Sequence, residues 1–134
     1  MRIVVDTNVI LSAYAFGSKR IHDVIEFVRN NHEVILPDQV VDEVLSVTER
    51  KMPRQLDAIN RFVGHPGIQV VPTPKITQTP GVKVRDATDQ PILNAAIAAG
   101  ADIIISGDKD FAALDIDWPR IMTPGEFMAE FMRK

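Results

Sequence analysis

Four acidic residues lie at or near the places where predicted strands end or predicted helices begin. They are Asp6, Glu43, Asp89 and Asp108. In an alternating α/β fold, ligands bind beyond the carboxyl ends of the parallel strands, and carboxylates placed there can converge on one pocket. Because unpaired carboxylates repel each other, such a cluster usually surrounds a bound hard cation. The spacing therefore predicts a metal-dependent hydrolase and favours a nuclease.

The first of these acids, Asp6, directly follows the apolar run Ile3–Val5. A carboxylate at the end of a strand can point into the ligand-binding crevice, where the hydroxyl of Thr7 and the amide of Asn8 can orient it. The alternative is that Asp6 or Thr7 only caps the following helix. The functional interpretation is favoured because the other acids occupy equivalent places.

Asp89 opens a predicted helix and lies on its buried face. At about 100° per residue, it shares that face with four apolar residues, namely Ile92, Leu93, Ala96 and Ile97. An inward carboxylate needs a partner, and the nearest base, Arg85, belongs to the preceding loop. Asp86, in the same stretch, is a candidate supporting residue. Simple compensation of the helix dipole is the alternative for Asp89.

The fourth predicted strand is followed by a turn that carries two acids, Ser106-Gly107-Asp108-Lys109-Asp110. Gly107 permits a tight turn, and Ser106 can bind a phosphate or a metal-bound water. A charged turn with helix-capping acids is the alternative. One of Asp108 and Asp110 is expected to be functional, and Asp108 is preferred because it lies closest to the end of the strand.

Glu43 is placed less clearly by its pattern. It flanks the apolar stripe of its predicted helix, which consists of Val40, Val44 and Val47. At the edge of a buried face, a glutamate that reaches into a site and one that reaches water are equally consistent with the spacing.

The ligand types predict which metal such a site would take. Carboxylates select Mg²⁺ or Mn²⁺ over Zn²⁺ where histidine and cysteine are missing. The three histidines, His22, His32 and His65, share no metal-ligand spacing. One or two Mg²⁺ or Mn²⁺ ions would activate water for attack on a phosphodiester. Among the basic residues that can guide a nucleic-acid strand, Arg85 and Lys109 lie closest in sequence to the acids.

Composition narrows the class of protein. A chain of 134 residues with 46% apolar side chains predicts one soluble globular domain over residues 1–134. No apolar run approaches the roughly 20 residues that span a bilayer. The absence of cysteine excludes disulfides and thiolate sites and fits a reducing cytoplasm. A net charge of −3 disfavours a large electrostatic nucleic-acid binder, but catalytic carboxylates would supply much of that charge.

Strands and helices alternate along the predicted chain. The helices are expected at Asn8–Tyr14, Arg20–Asn30, Asp38–Glu49, Gln55–Val63, Asp89–Ala99, Phe111–Leu114 and after Thr123, with Asp38 and Thr123 as N-caps. The strands are expected at Arg2–Val5, Glu33–Leu36, Ile68–Val71, Asp102–Ile105 and, at an edge, Arg120–Met122. This order predicts a three-layer α/β/α sandwich with a central parallel sheet of four to five strands.

The motifs together resemble those of the PIN-domain ribonucleases, of the toxin type found in prokaryotic toxin–antitoxin pairs (the VapC-like family). The resemblance covers nearly the whole chain and rests on four segments, at residues 5–9, 41–44, 86–96 and 106–111. It implies a flavodoxin-like sheet, an acidic pocket for Mg²⁺ or Mn²⁺ and endonucleolytic cleavage of single-stranded RNA. It also implies homodimers and a cognate antitoxin that inserts into the site.

The resemblance further implies roles for single residues. By motif position, Asp6, Glu43 and Asp89 take the metal-site roles. Asp108 takes the fourth role, with Asp110 as its rival because family members vary in this turn. Two polar residues, Asn8 and Ser106, match supporting positions.

Two other classes share this architecture. A catalytically inactive PIN-like or receiver-like module would hold Mg²⁺ for regulation, but a receiver needs a phosphoacceptor aspartate after a middle strand, where this chain has Val71-Pro72. A phosphatase with an aspartyl nucleophile expects a second acid two residues after the first, where this chain has Asn8. The receiver-like module and the phosphatase are therefore weaker than the nuclease, while a catalytically inactive PIN-like module stays an open alternative.

Overall fold

The structure, a computed structural model, describes residues 1–74, 90–108, 111, 114 and 116–132. The strands in this part of the chain are β1 (Arg2–Val5), β2 (Glu33–Pro37), β3 (Ile68–Val71), β4 (Ile103–Ile105) and β5 (Arg120–Met122). The helices are α1 (Thr7–Tyr14), α2 (Lys19–Asn31), α3 (Asp38–Lys51), α4 (Leu56–Val63), α5 (Gln90–Ala98) and α6 (Pro124–Phe131). A single 3-10 turn, Pro53–Gln55, joins α3 to α4.

The strands pair in parallel in the order β3-β2-β1-β4-β5. This confirms the predicted α/β/α fold with its central parallel sheet. In β1, the side chains of Ile3, Val4 and Val5 are all fully buried, as expected for a strand covered by helices on both faces. Strands β2 and β3 lie on one side of β1, whereas β4 and β5 lie on the other side. The strand order therefore reverses beside β1, where α/β sheets open their ligand crevice.

Most predicted boundaries agree with the structure to within a residue or two, but the predicted N-cap of α3 is wrong. Pro37 occupies the cap position, and Asp38 is the first residue of the helix. The carboxylate of Asp38 instead accepts hydrogen bonds from Thr73, at 3.0 Å from its N–H and 2.6 Å from its hydroxyl. The carboxylate of Asp38 therefore binds a residue that follows β3.

Two predicted elements lie only partly within the described residues. The helix expected at Phe111–Leu114 is described at its two end residues, and Phe111 is fully buried. The helix expected from Asp89 begins at Gln90 among the described residues. None of the helices described is long and apolar enough to cross a membrane.

The last helix, α6, begins with the capping box that its sequence predicts. The hydroxyl of Thr123 accepts a hydrogen bond from the N–H of Glu126 at 3.1 Å, and the Glu126 carboxylate accepts one from the N–H of Thr123 at 2.9 Å. Both bonds satisfy backbone donors that the first helical turn leaves open. Phe127, the residue that follows Glu126, is fully buried in the core.

We expect Thr123→Ala to lower the free energy of unfolding by about 1 kcal/mol, because the alanine cannot accept the hydrogen bond from Glu126. Urea denaturation of the purified protein measures this change. Thr123→Ser keeps the hydroxyl and should stay close to the wild type. An alanine variant as stable as the serine variant would show that the capping box contributes nothing.

Candidate active site

A cavity of about 360 Å³ opens at the carboxyl ends of the central strands. Its wall combines three acids, three uncharged polar residues and one apolar residue, which are Asp6, Glu43, Asp108, Thr7, Asn8, Gln39 and Ile92. The residue after β1, the first turn of α1, the first two turns of α3, the first turn of α5 and the loop after β4 contribute to it. The structure thus brings together four of the residues that the sequence singled out for a site, Asp6, Asn8, Glu43 and Asp108.

Asp6 lies at the centre of this arrangement, between the end of β1 and the start of α1. Its backbone N–H donates to the carbonyl of Ile105 at 3.0 Å, so the pairing of β1 with β4 continues to this residue. One carboxylate oxygen, Oδ1, accepts a hydrogen bond from the N–H of Thr7 at 2.7 Å. Asp6 is therefore both the N-cap of α1 and part of the wall of the cavity, so its capping role is compatible with the predicted role in a site.

Ser106 connects two of the acids. Its hydroxyl donates to Oδ2 of Asp6 at 2.8 Å and accepts from the backbone N–H of Asp108 at 3.0 Å. The side chain is buried, and its own N–H donates to the carbonyl of Met122 in β5. A single hydroxyl therefore fixes the orientation of the Asp6 carboxylate and the path of the turn that carries Asp108.

The electrostatics of Asp6 are unfavourable for an ionised group. Only 5% of the residue is exposed, and this burial raises the pKa of its carboxyl above the usual value. The hydrogen bonds from Ser106 and Thr7 oppose the shift, while the charges of Asp108 and Glu43 add to it. A cation in the cavity would reverse the repulsion among these acids.

Glu43 reaches the cavity from α3, although its side chain remains exposed. The hydroxyl of Thr7 lies 3.4 Å from its Oε2, which is long for a hydrogen bond and leaves the carboxylate loosely held. Its neighbour Asp42 is also exposed but does not line the cavity. The structure therefore places Glu43 at the rim, where it can approach a ligand with little reorganisation.

Within the described ranges, no three acidic or imidazole side chains meet closely enough to form a ready-made metal site. The chemistry of the cavity still fits Mg²⁺ or Mn²⁺, because its charged groups are carboxylates and its other polar groups are hydroxyl and amide. Asp89 and Asp110, the remaining predicted metal ligands, lie outside the described residues, as do Asp86, Arg85 and Lys109.

Three cavity residues were not predicted to take part in binding or catalysis. Gln39 lies one helical turn before Glu43, so the spacing of four residues already put both on one face of α3. Thr7 was considered only for orienting Asp6, yet it also lines the cavity. Ile92 was read from its spacing as a core residue, and it is 98% buried while forming the apolar part of the wall.

The fold and the cavity define a class of protein, a doubly wound parallel sheet with an acidic crevice where the strand order reverses. The family model of the PIN domain matches residues 2–110. The chain therefore belongs to the PIN domain family. No significant match is found among curated proteins.

Solved structures share the fold at low sequence identity. VapBC2 from Rickettsia felis superposes with a TM-score of 0.66 at 14% identity, covering 91% of this chain and 97% of that one. FitAcB from Neisseria gonorrhoeae gives 0.63 at 17% identity, with 92% and 98% covered. VapC20 from Mycobacterium tuberculosis gives 0.61 at 15% identity, with 83% and 93% covered.

We expect Asp6→Asn to make the metal-free protein more stable at neutral pH. Burial raises the pKa of the Asp6 carboxyl in the folded protein. The stability that its protonated form contributes is fully present below the ordinary carboxyl pKa of about 4, and it is lost as the pH rises through the pKa of the folded protein. The free energy of unfolding of Asp6→Asn should therefore exceed that of the wild type at pH 7, and the two values should converge at about pH 4.

Urea denaturation in EDTA at several pH values measures this difference. Asp42→Asn, which changes an exposed acid outside the cavity, serves as the control and should show no comparable trend. If Asp6→Asn and Asp42→Asn shifted stability alike at every pH, the burial of Asp6 would carry no electrostatic cost.

Proposed function

We propose that the protein is a metal-dependent endoribonuclease that cleaves single-stranded RNA and serves as the toxin of a toxin–antitoxin pair. The observation that carries the proposal is the buried carboxylate of Asp6, which shares one cavity with Glu43 and Asp108. Membership of the PIN domain family supports it. So does the fold shared with VapC20, which is described as a Sarcin-Ricin loop cleaving toxin.

In this proposal Asp6, Glu43 and Asp108 hold Mg²⁺ or Mn²⁺. Asp89 and Asp110 are proposed as further ligands of the ion because of their positions in the family motifs. When bound, the ion supplies positive charge for the phosphate and lowers the pKa of an attacking water. No covalent intermediate with the protein is required, and a chain without cysteine offers no thiolate nucleophile.

The chain itself supplies the positioning. Ser106 and Thr7 each hold one oxygen of the Asp6 carboxylate, so its orientation is set before a ligand arrives. Ile92 places apolar surface against the acids, which lowers the local dielectric and strengthens their attraction for a cation. Asn8, exposed at the start of α1, adds an amide that can contact the substrate.

The proposal extends to partners and location. By family resemblance we infer a cognate antitoxin, a homodimer and a cytoplasmic RNA substrate, with Arg85 and Lys109 guiding the strand. The fold shared with VapC20, which is described as a toxin, supports the toxin part of this inference.

We expect the purified protein to cleave a mixed single-stranded RNA with Mn²⁺ or Mg²⁺ but not with EDTA. Asp6→Asn and Asp89→Asn should each lower the rate by about 100-fold or more, since loss of an outer-shell partner alone costs roughly 10- to 100-fold. Asp42→Asn should cleave like the wild type because Asp42 lies outside the cavity. Gel analysis of the RNA fragments gives the rates.

Circular dichroism checks that each variant is folded. Unfolded Asp6→Asn and Asp89→Asn proteins would make these acids structural. A folded wild-type protein that binds the ion but cleaves no RNA would instead favour the catalytically inactive or receiver-like module.

A further inference from the structure

Gln39 brings a neutral hydrogen-bonding group into an acidic cavity. The residue lines the same cavity as Asp6, Glu43 and Asp108. The side-chain amide has no hydrogen-bond partner among the described residues, whereas its backbone N–H donates to the hydroxyl of Thr73 at 3.1 Å. The hydrogen bond to Thr73 therefore fixes the backbone of Gln39, while its side-chain amide is available to bind a ligand.

The position of this amide is fixed by a clasp, which we define as the contacts among Asp38, Gln39 and Thr73. The Thr73 hydroxyl donates to Oδ1 of Asp38 at 2.6 Å and accepts from the N–H of Gln39, while the Thr73 N–H donates to the same Oδ1 at 3.0 Å. These bonds tie the first turn of α3 to the chain leaving β3. Gln39 therefore faces the cavity from a fixed backbone, one turn before Glu43.

The chemistry of the amide points to a nucleobase. Ionised carboxylates only accept hydrogen bonds, so the acids of the cavity cannot donate to a substrate. A glutamine amide presents a donor and an acceptor side by side, which matches the edge of a base that offers the complementary pair. A phosphate needs donors alone, and arginine or lysine serves it better. Bases of single-stranded RNA are unstacked and present these edges freely.

We propose that Gln39 is a specificity-determining residue that hydrogen-bonds the edge of the base next to the scissile phosphate. The inference rests on the proposed ribonuclease function and names the contact by which that site selects its RNA. Asp38 and Thr73 act through Gln39 as positioning residues. The cavity of about 360 Å³ that Gln39 lines also contains the acids, so base reading and cleavage take place side by side.

The test maps every cleavage site in a randomised single-stranded RNA pool for the wild type, Gln39→Ala and Gln39→Glu. We expect the wild type to prefer one base beside the cut by about tenfold, the size of one good bidentate contact. Gln39→Ala should lose that preference, with cleavage slowed most at the sites that carry the preferred base. Gln39→Glu, which only accepts, should shift the preference towards bases that donate at the same edge.

Matched controls separate this contact from a general effect. Gln55→Ala changes an exposed glutamine in the turn before α4 and should keep the wild-type site pattern. Thr73→Val opens the clasp and should weaken the preference, while Thr73→Ser keeps the hydroxyl and should restore it. Circular dichroism confirms folding of each variant.

The outcomes distinguish a failure of the role proposed for Gln39 from a failure of the proposed ribonuclease function. A wild-type enzyme that cleaves RNA and a Gln39→Ala variant with the same base preference would overturn the role of Gln39 alone. An equal loss of cleavage at all sites in Gln39→Ala would also overturn it, because the residue would then not discriminate among bases. Absence of cleavage by the folded wild type with Mn²⁺ would overturn the ribonuclease function and this inference together.

Discussion

The site depends on one constraint, the burial of an acidic side chain at the carboxyl end of the central strand. Asp6 is 5% exposed, and the pKa of its carboxyl is raised by that burial and by the charges of Asp108 and Glu43. Two hydrogen bonds, from Thr7 and Ser106, hold it in place. Such a group is costly for the fold unless a cation accompanies it. The unfavourable electrostatics are therefore the physical basis for the proposed affinity for a divalent ion.

The loops around this carboxylate are ordered by contacts between distant parts of the chain. Ser106 joins the turn after β4 to Asp6, and Thr73 joins the chain after β3 to the start of α3. In both cases a hydroxyl donates to a carboxylate and accepts from a backbone N–H. The rigid parallel sheet sets the distances between the strand ends, and these two hydroxyls set the directions of the groups that follow them.

Much of the framework was predictable because its signals are local. Apolar β-branched runs predict the buried strands, and the Thr123 and Glu126 pair predicts the capping box of α6. The N-cap assigned to Asp38 was wrong because its partner, Thr73, follows a different strand. The place of Gln39 in the cavity was missed for a similar reason, since the cavity forms only when α1, α3, α5 and the β4 loop meet. The metal-site roles of Asp6, Glu43, Asp89, Asp108 and Asp110 stay predictions.

The most direct test of this account is a calorimetric titration of Mn²⁺ into the wild type, Asp6→Asn and Asp42→Asn at neutral pH, with no RNA present. If the buried carboxylate is the centre of a cation site, the wild type and Asp42→Asn will bind Mn²⁺ with equal affinity, and Asp6→Asn will bind at least about tenfold more weakly. Equal binding by all three folded proteins would contradict the account, because Asp6 would then be buried for a structural reason alone.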